Sequence, residues 1–255
     1  MKIVLLPGWH EQSDVMRTFI DGRNGLDGLN AFGFDCALFP NGHDALRDRV
    51  DRFARFLDDL KASEPESFPV ATVGYSTGGL INRGFLRAYP ERAGEIAATI
   101  QIGTPNTGLV SNYIANLLRV MGIPHRVIND LDVASDYLLW LNGTGGTWVP
   151  TDKPGKARWK LDQPPWVAPE GHKFLSIAGR VPQFVDADGV VWLASATLEG
   201  FAPSLVIDDP MANHLNLGAV FNVVAFVARG FRADDRIWQR TVVTIARFLR
   251  GEPFA

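Results

Sequence analysis

The stretch VGYSTGG, residues 73–79, decides the fold of this chain. It places a single serine, Ser76, between Gly74 and Gly78, directly after the apolar run at 69–74. The spacing fits Gly-x-Ser-x-Gly, in which the serine occupies a sharp turn between a strand and a helix. The two glycines lack the side chains that would clash where the backbone turns. The stretch therefore predicts either a nucleophilic serine raised out of the fold or a glycine-rich turn with an incidental serine.

Short apolar runs alternate with helical patterns along the rest of the chain. Six runs are short, β-branched or aromatic and bounded by Gly, Pro or Asp, as buried parallel strands are. These runs lie at 2–6, 34–39, 69–74, 96–103, 172–179 and 203–208. Amphipathic helices are predicted at 46–62, 79–89 and 235–251. The alternation predicts an α/β protein whose mostly parallel central sheet has helices on both faces.

The alternation stops between residues 106 and 171, a span too long for a simple connection. Helices are predicted at 111–122 and 131–143, and the stretch at 147–171 carries five prolines and three tryptophans. We expect the whole span, 106–171, to be an inserted cap or lid over one end of the sheet. Residues 1–105 and 172–255 are then expected to form the core.

The composition narrows the classes of function. Cys36 is the one cysteine of the 255 residues, so no internal disulfide can form, and a net charge of −3 gives no reason to expect nucleic acid as a partner. No stretch approaches the roughly 20 apolar residues that cross a bilayer. The start of the chain, MKIVLLPGWH, is interpreted as a first strand and not as a signal peptide. We therefore expect a cytoplasmic protein without a transmembrane segment.

A serine hydroxyl becomes a nucleophile when a neighbouring base removes its proton. In this setting the chain order is serine, then an acid, then histidine. His214 follows the last predicted strand and precedes the helical stretch at 216–230, so we predict that this loop histidine is the base. The alternative for His214 is a loop histidine that caps the next helix. The other histidines have weaker contexts; they are His10, His43, His125 and His172.

The residues alone leave the identity of the acid open. Asp188 precedes a glycine beyond the strand at 172–179, and a carboxylate on a turn there could orient the imidazole. An ordinary Asp-Gly turn is the alternative for Asp188. Three rival carboxylates are close in sequence: Asp186, Asp208 and Asp209.

An oxyanion hole for this serine needs two backbone donors. The N–H of Thr77 is the first, and the second is predicted from the loop after the first strand, where Trp9 is chosen over Gly8. The substrate pocket is predicted to include Gly8, His10 and Tyr75. We expect no cofactor and no metal ion.

Four segments in order resemble α/β-hydrolases, and more narrowly bacterial lipases and esterases, including GPI inositol-deacylase-like lipases. They are VGYSTGGLINRGFL (73–86), IQIGTPNTG (100–108), DLDVASDYLLWLN (130–142) and ADGVVWLASATL (187–198). The resemblance implies the α/β-hydrolase fold, and it implies that Asp188 is the acid of the triad. NHLNL at 213–217 fits His214 as the base. The chain departs from these lipases in having Pro-Gly-Trp-His at the oxyanion loop, and Trp192 where proline is common.

The resemblance implies a serine hydrolase that cleaves carboxylic esters of small molecules or lipids through an acyl-enzyme. One alternative uses the same triad for acyl transfer or for thioester or amide cleavage. Another is a non-catalytic binding protein on a hydrolase fold. The sequence leaves the oligomeric state undetermined.

Overall fold

A computed structural model describes residues 1–8, 13–40, 42, 44–109, 125–150, 157–182, 187–218 and 234–254. Its main element is a six-stranded sheet in which every pair of neighbouring strands is parallel. In sheet order the strands are β2 (Asp35–Leu38), β1 (Lys2–Leu6), β3 (Val70–Tyr75), β4 (Ile96–Ile102), β7 (Lys173–Arg180) and β8 (Ser204–Asp208). The six predicted strands are confirmed, with ends shifted by at most one residue. A separate antiparallel pair joins β5 (Gly146–Pro150) to β6 (Ala157–Leu161).

Eight α-helices lie within the described residues. They are α1 (Ser13–Asp21), α2 (Leu46–Ser63), α3 (Thr77–Ala88), α4 (His125–Asp130), α5 (Asp136–Asn142), α6 (Leu193–Ala196), α7 (His214–Leu217) and α8 (Asp235–Arg250). Short 3-10 turns occur at Leu29–Phe32, Pro65–Ser67, Pro90–Glu95 and Leu198–Gly200. Across these ranges, no helix combines the length and apolar character that crossing a bilayer requires.

The predicted helices at 46–62, 79–89 and 235–251 are confirmed, although α3 begins two residues earlier than expected. The helix predicted at 131–143 is shorter and begins at Asp136. It begins there because the Ser135 hydroxyl accepts a hydrogen bond from the N–H of Leu138 at 3.2 Å and so caps the first turn. The helix predicted at 111–122 lies outside the described residues.

Each face of the sheet is covered by a separate apolar cluster. On one face α2 and α3 pack on the sheet, and the rings of Phe53 and Phe85 meet edge to face at 5.4 Å. On the other face α8 packs on the sheet, and Trp238 meets Phe19 of α1 at 6.0 Å. Burial on both faces explains why β1 and β3 are apolar nearly throughout. Crevices in such sheets form at the carboxyl ends of the strands, so this edge is where a site is expected.

A buried arginine ties the segment between β4 and β7 to α3. Arg83 has no exposed surface, and its guanidinium donates to the side-chain oxygens of Asn106 (2.9 Å) and Asn142 (3.1 Å) and to the carbonyl of Trp166. Burial lowers the pKa of Arg83 to about 9. The contact fixes α5 and residue 166 against α3. That residues 106–171 act as a lid remains a prediction.

Candidate active site

Ser76 lies in the tight turn that joins β3 to α3. Its backbone has φ 53° and ψ −121°, a conformation that non-glycine residues rarely adopt and that costs on the order of 1–3 kcal/mol. The turn is held from both sides, because the N–H of Ser76 donates to the carbonyl of Ile102 at 2.8 Å and its carbonyl accepts from Gly79 at 3.1 Å. The serine side chain therefore stands on a fixed and strained support.

The glycines of the motif are required by close backbone contacts. A β-carbon on Gly74 would lie 2.5 Å from the carbonyl carbon of Gly78. A β-carbon on Gly78 would lie 2.1 Å from the carbonyl oxygen of Leu6. Neither position has room for a side chain, so the spacing read from the sequence has a steric cause.

His214 connects the serine to a carboxylate. Its Nε2 lies 3.1 Å from the Oγ of Ser76, and its Nδ1 lies 2.8 Å from the Oδ2 of Asp188. The backbone N–H of His214 also donates to the carbonyl of Asp188 at 3.0 Å. The residue was expected in a loop, but it is the first residue of the short helix α7. The bonds to Asp188 hold the imidazole toward the β3–α3 turn.

Asp188 sits in a tight turn that fixes its carboxylate. Its Oδ1 accepts the N–H groups of Val190 (3.0 Å) and Val191 (2.7 Å), which leaves Oδ2 for the imidazole. The Asp-Gly turn and the contact with His214 therefore occur together, although the sequence presented them as alternatives.

The rival carboxylates have other partners or lie outside the described residues. Asp208 is paired with Arg180 at the end of β7. Asp209 accepts the N–H of Met211 at 2.7 Å. Asp186 lies outside the described residues. Of the candidate acids, Asp188 is the one whose carboxylate the structure brings to the imidazole.

Tyr75 and Gly103 support the histidine in ways that the sequence analysis missed. Tyr75, expected to line the pocket, is 3% exposed, and its hydroxyl donates to the carbonyl of His214 at 2.9 Å. Burial raises the pKa of Tyr75 well above its ordinary value, so the hydroxyl stays neutral and able to donate. Gly103 has φ 54°, and a β-carbon there would lie 3.0 Å from the Nδ1 of His214. The position of Gly103 directly after β4 was the one signal in the sequence that could have pointed to this role.

The loop after β1 lies directly against the serine. A β-carbon on Gly8 would be 3.2 Å from the β-carbon of Ser76, so the backbone of this loop approaches the hydroxyl closely. The carbonyl of Gly8 accepts a hydrogen bond from the Nη2 of Arg49 at 3.3 Å. Arg49 has no exposed surface, and burial lowers its pKa to about 10. The predicted site residues Trp9 and His10 lie outside the described residues.

The electrostatics of this cluster suit proton transfer away from bulk water. Ser76, His214 and Asp188 are 6%, 5% and 1% exposed, and Thr77 begins α3 beside them. The first N–H groups of a helix have no intrahelical acceptor, so they are available to a nearby anion. Among the described residues, no group of three or more His, Cys, Asp or Glu side chains could hold a metal ion.

No family model matches this sequence, and no curated protein matches it. Solved structures do match. A metagenomic carboxyl esterase has a TM-score of 0.65 at 16% identity, with 98% of this chain and 76% of that chain covered. The phospholipase PlaB of Legionella pneumophila has a TM-score of 0.59 at 17% identity, and this chain covers 60% of its length with 98% of its own. The mature lipase BlEst2 of Bacillus licheniformis has a TM-score of 0.54 at 15% identity, with 89% and 90% covered. The chain therefore has the α/β-hydrolase fold.

Proposed function

We propose that this chain is a serine hydrolase that cleaves carboxylic esters. Ser76 is the nucleophile, His214 the general base and Asp188 the acid that orients the imidazole. The observation that carries the proposal is the continuous contact from Ser76 Oγ to His214 Nε2 (3.1 Å) and from His214 Nδ1 to Asp188 Oδ2 (2.8 Å). The neighbouring esterase, lipase and phospholipase structures agree with this class of reaction.

The reaction has two halves that share one base. The Oγ of Ser76 attacks the acyl carbonyl carbon while the Nε2 of His214 takes the hydroxyl proton. The imidazolium then returns that proton to the leaving alcohol as the carbon–oxygen bond breaks, which leaves an acyl-enzyme. Water repeats the sequence with the same base and releases the acid. Asp188 accepts the hydrogen bond from the Nδ1–H of His214 throughout, without taking the proton, and so stabilises the imidazolium.

The negative oxygen of each tetrahedral intermediate is assigned to two backbone donors, the N–H groups of Thr77 and Trp9. Gly8 supports this assignment because its backbone lies against Ser76. Gly8 and His10 are proposed to contribute to the pocket. We also propose that residues 106–171 act as a cap over the crevice and favour an apolar acyl group, because Trp148 is 52% exposed on β5 within that span.

Turnover of p-nitrophenyl esters whose acyl chains have two to sixteen carbons tests the function. A thioester, an anilide and an alcohol acceptor are included to test thioester cleavage, amide cleavage and acyl transfer. We expect ester hydrolysis to be fastest and to depend on acyl chain length. Preferred thioester, anilide or acceptor turnover would reassign the reaction. A folded protein that turns over none of these compounds would contradict the enzyme proposal.

The substitution Asp188→Asn should lower kcat by about 10⁴-fold with the fold intact. The asparagine oxygen can keep the turn bonds from Val190 and Val191, but its amide presents an N–H to the Nδ1 of His214 and favours the wrong tautomer. Asp208→Asn is the matched control, because Asp208 is exposed and paired with Arg180. Equal losses in the two variants, measured by steady-state kinetics, would contradict the role of Asp188.

The substitution Arg49→Leu should lower kcat about tenfold to a hundredfold, part of the loss that follows removal of an oxyanion donor, with KM nearly unchanged. A peptide carbonyl and the N–H that follows it point in opposite directions within one rigid plane. The Nη2 of Arg49 donates to the carbonyl of Gly8 at 3.3 Å, so we expect this contact to set the direction of the next N–H. Arg55→Leu, exposed on the same helix, is the control. An alkyl boronic acid should lose affinity in parallel with kcat/KM. Unchanged boronate affinity in folded Arg49→Leu would contradict this role.

A further inference from the structure

An elongated groove runs along α8 at the β8 edge of the sheet. Its volume is about 350 Å³, within the range of small-molecule sites. Apart from α8, its walls are Leu205 of β8, Leu26 of the turn before β2 and Phe254 of the C-terminal tail. These walls are mainly apolar, and all three side chains are half-buried. The lining is distinct from the cluster of Ser76, His214 and Asp188.

Three arginines of α8 line this groove, and no carboxylate does. Arg236 is already paired with Asp234 at 2.6 Å. Arg240 and Arg247 are exposed, and neither side chain has an ion pair or hydrogen bond with another residue that the structure describes. The whole chain carries a net charge of −3, so this concentration of positive charge runs against its overall balance.

An acidic side chain at the start of α8 is held by a neighbouring turn. The Oδ1 of Asp235 forms an ion pair with the Nε of Arg23 at 3.1 Å, and its Oδ2 accepts a hydrogen bond from Asn24 at 2.7 Å, which holds the turn bearing Leu26 against the helix. At the other end the ring of Phe254 packs edge to face on Phe248 at 5.7 Å. Both ends of the groove are therefore fixed before any ligand binds.

We propose that this groove binds a single-chain amphiphile with an anionic head, of the class of long-chain fatty carboxylates. The apolar walls suit an alkyl chain, and guanidinium groups bind carboxylates through charge-assisted hydrogen bonds. Arg236 and Arg247 are eleven residues apart, about 16 Å along the helix, the length scale of an extended long acyl chain. The head group belongs at Arg240, because negative charge is disfavoured near the helix C-terminus, where the tail meets Phe254.

Calorimetric titration of the full chain with dodecanoate, below its micelle concentration, tests the site. The Ser76→Ala variant is used, so binding is measured whether or not the chain is a hydrolase. We expect saturable binding of dodecanoate, and affinities at least about tenfold lower for butyrate, which lacks the chain, and for dodecyltrimethylammonium, which reverses the charge. Equal binding of dodecyltrimethylammonium, or no binding of dodecanoate, would overturn the proposal.

Two sets of variants locate the ligand. Arg240→Gln should weaken dodecanoate binding about tenfold, the loss of one charge-assisted hydrogen bond, while Arg247→Gln, beside the alkyl chain in the last turn, should weaken it less. Leu205→Asp should weaken it by obstructing the chain, while Arg55→Gln on α2, across the sheet, should leave it unchanged. Dodecanoate binding that survives at full affinity in the Arg240→Gln/Arg247→Gln protein would place the ligand elsewhere, such as the crevice near Ser76, and would refute the groove. Binding to phosphatidylglycerol vesicles without binding of dodecanoate monomers would equally refute it.

Discussion

Replacing Ser76 with alanine should reduce kcat for ester hydrolysis by about 10⁶-fold, because the acyl-enzyme is proposed to form on its Oγ. The Oγ of Ser76 is the atom that contacts His214 Nε2 at 3.1 Å. Alanine keeps the β-carbon and removes that oxygen alone. Steady-state turnover of the preferred p-nitrophenyl ester, at high enzyme concentration, measures the loss.

The same substitution should change the free energy of unfolding by no more than about 1 kcal/mol, because it removes one hydrogen bond and leaves the glycine contacts of the turn intact. Urea denaturation measures this. Ser204→Ala, exposed at the start of β8, is the matched control and should keep full turnover. Retained turnover in Ser76→Ala would show that the reaction uses a different nucleophile.

Replacing His214 with alanine should have an effect of the same size, about 10⁶-fold in kcat, because the serine then loses the base that accepts its proton. The imidazole is hydrogen-bonded to Ser76 at one nitrogen and to Asp188 at the other, and among the residues that the structure describes no other side chain contacts both. His172→Ala is the control, since this half-buried histidine contacts Thr99 within the sheet. The kcat values of His214→Ala and His172→Ala, measured by steady-state kinetics, should differ by several orders of magnitude.

The two losses should not add. Nucleophile and base act in the same step, so the double variant Ser76→Ala/His214→Ala should be no slower than either single variant. A double variant with a further loss of several orders of magnitude would mean that His214 acts in a step that does not involve Ser76.

Local sequence patterns were sufficient to predict the sheet. Parallel strands buried on both faces need nearly continuous apolar runs, and KIVLL and VATVGY are such runs, so β1 and β3 were found within one residue. The turn at Ser76 was also predictable, because two backbone segments that approach too closely for a side chain require glycine, and Gly74 and Gly78 are visible in the sequence. These features depend on residues that are neighbours in the chain.

The supports of the site could not be predicted in the same way, because each joins residues far apart in sequence. Tyr75 donates a hydrogen bond to the carbonyl of His214, 139 residues later, and the sequence near either residue does not predict this bond. Arg83 donates a hydrogen bond to Asn142, 59 residues away, although the amphipathic pattern of its helix places this arginine among the polar residues. The bond between the N–H of His214 and the carbonyl of Asp188 likewise joins residues 26 positions apart. Such tertiary contacts decide which side chains meet, and composition or periodicity carries no trace of them.

Labelling with a fluorophosphonate, followed by peptide mass mapping, tests most directly whether Ser76 is a nucleophile activated by His214. We expect one phosphonyl adduct per chain, located on Ser76, with labelling lost in Ser76→Ala and slowed by orders of magnitude in His214→Ala. A folded protein that takes up no label, or an adduct on another residue that persists in Ser76→Ala, would contradict this expectation.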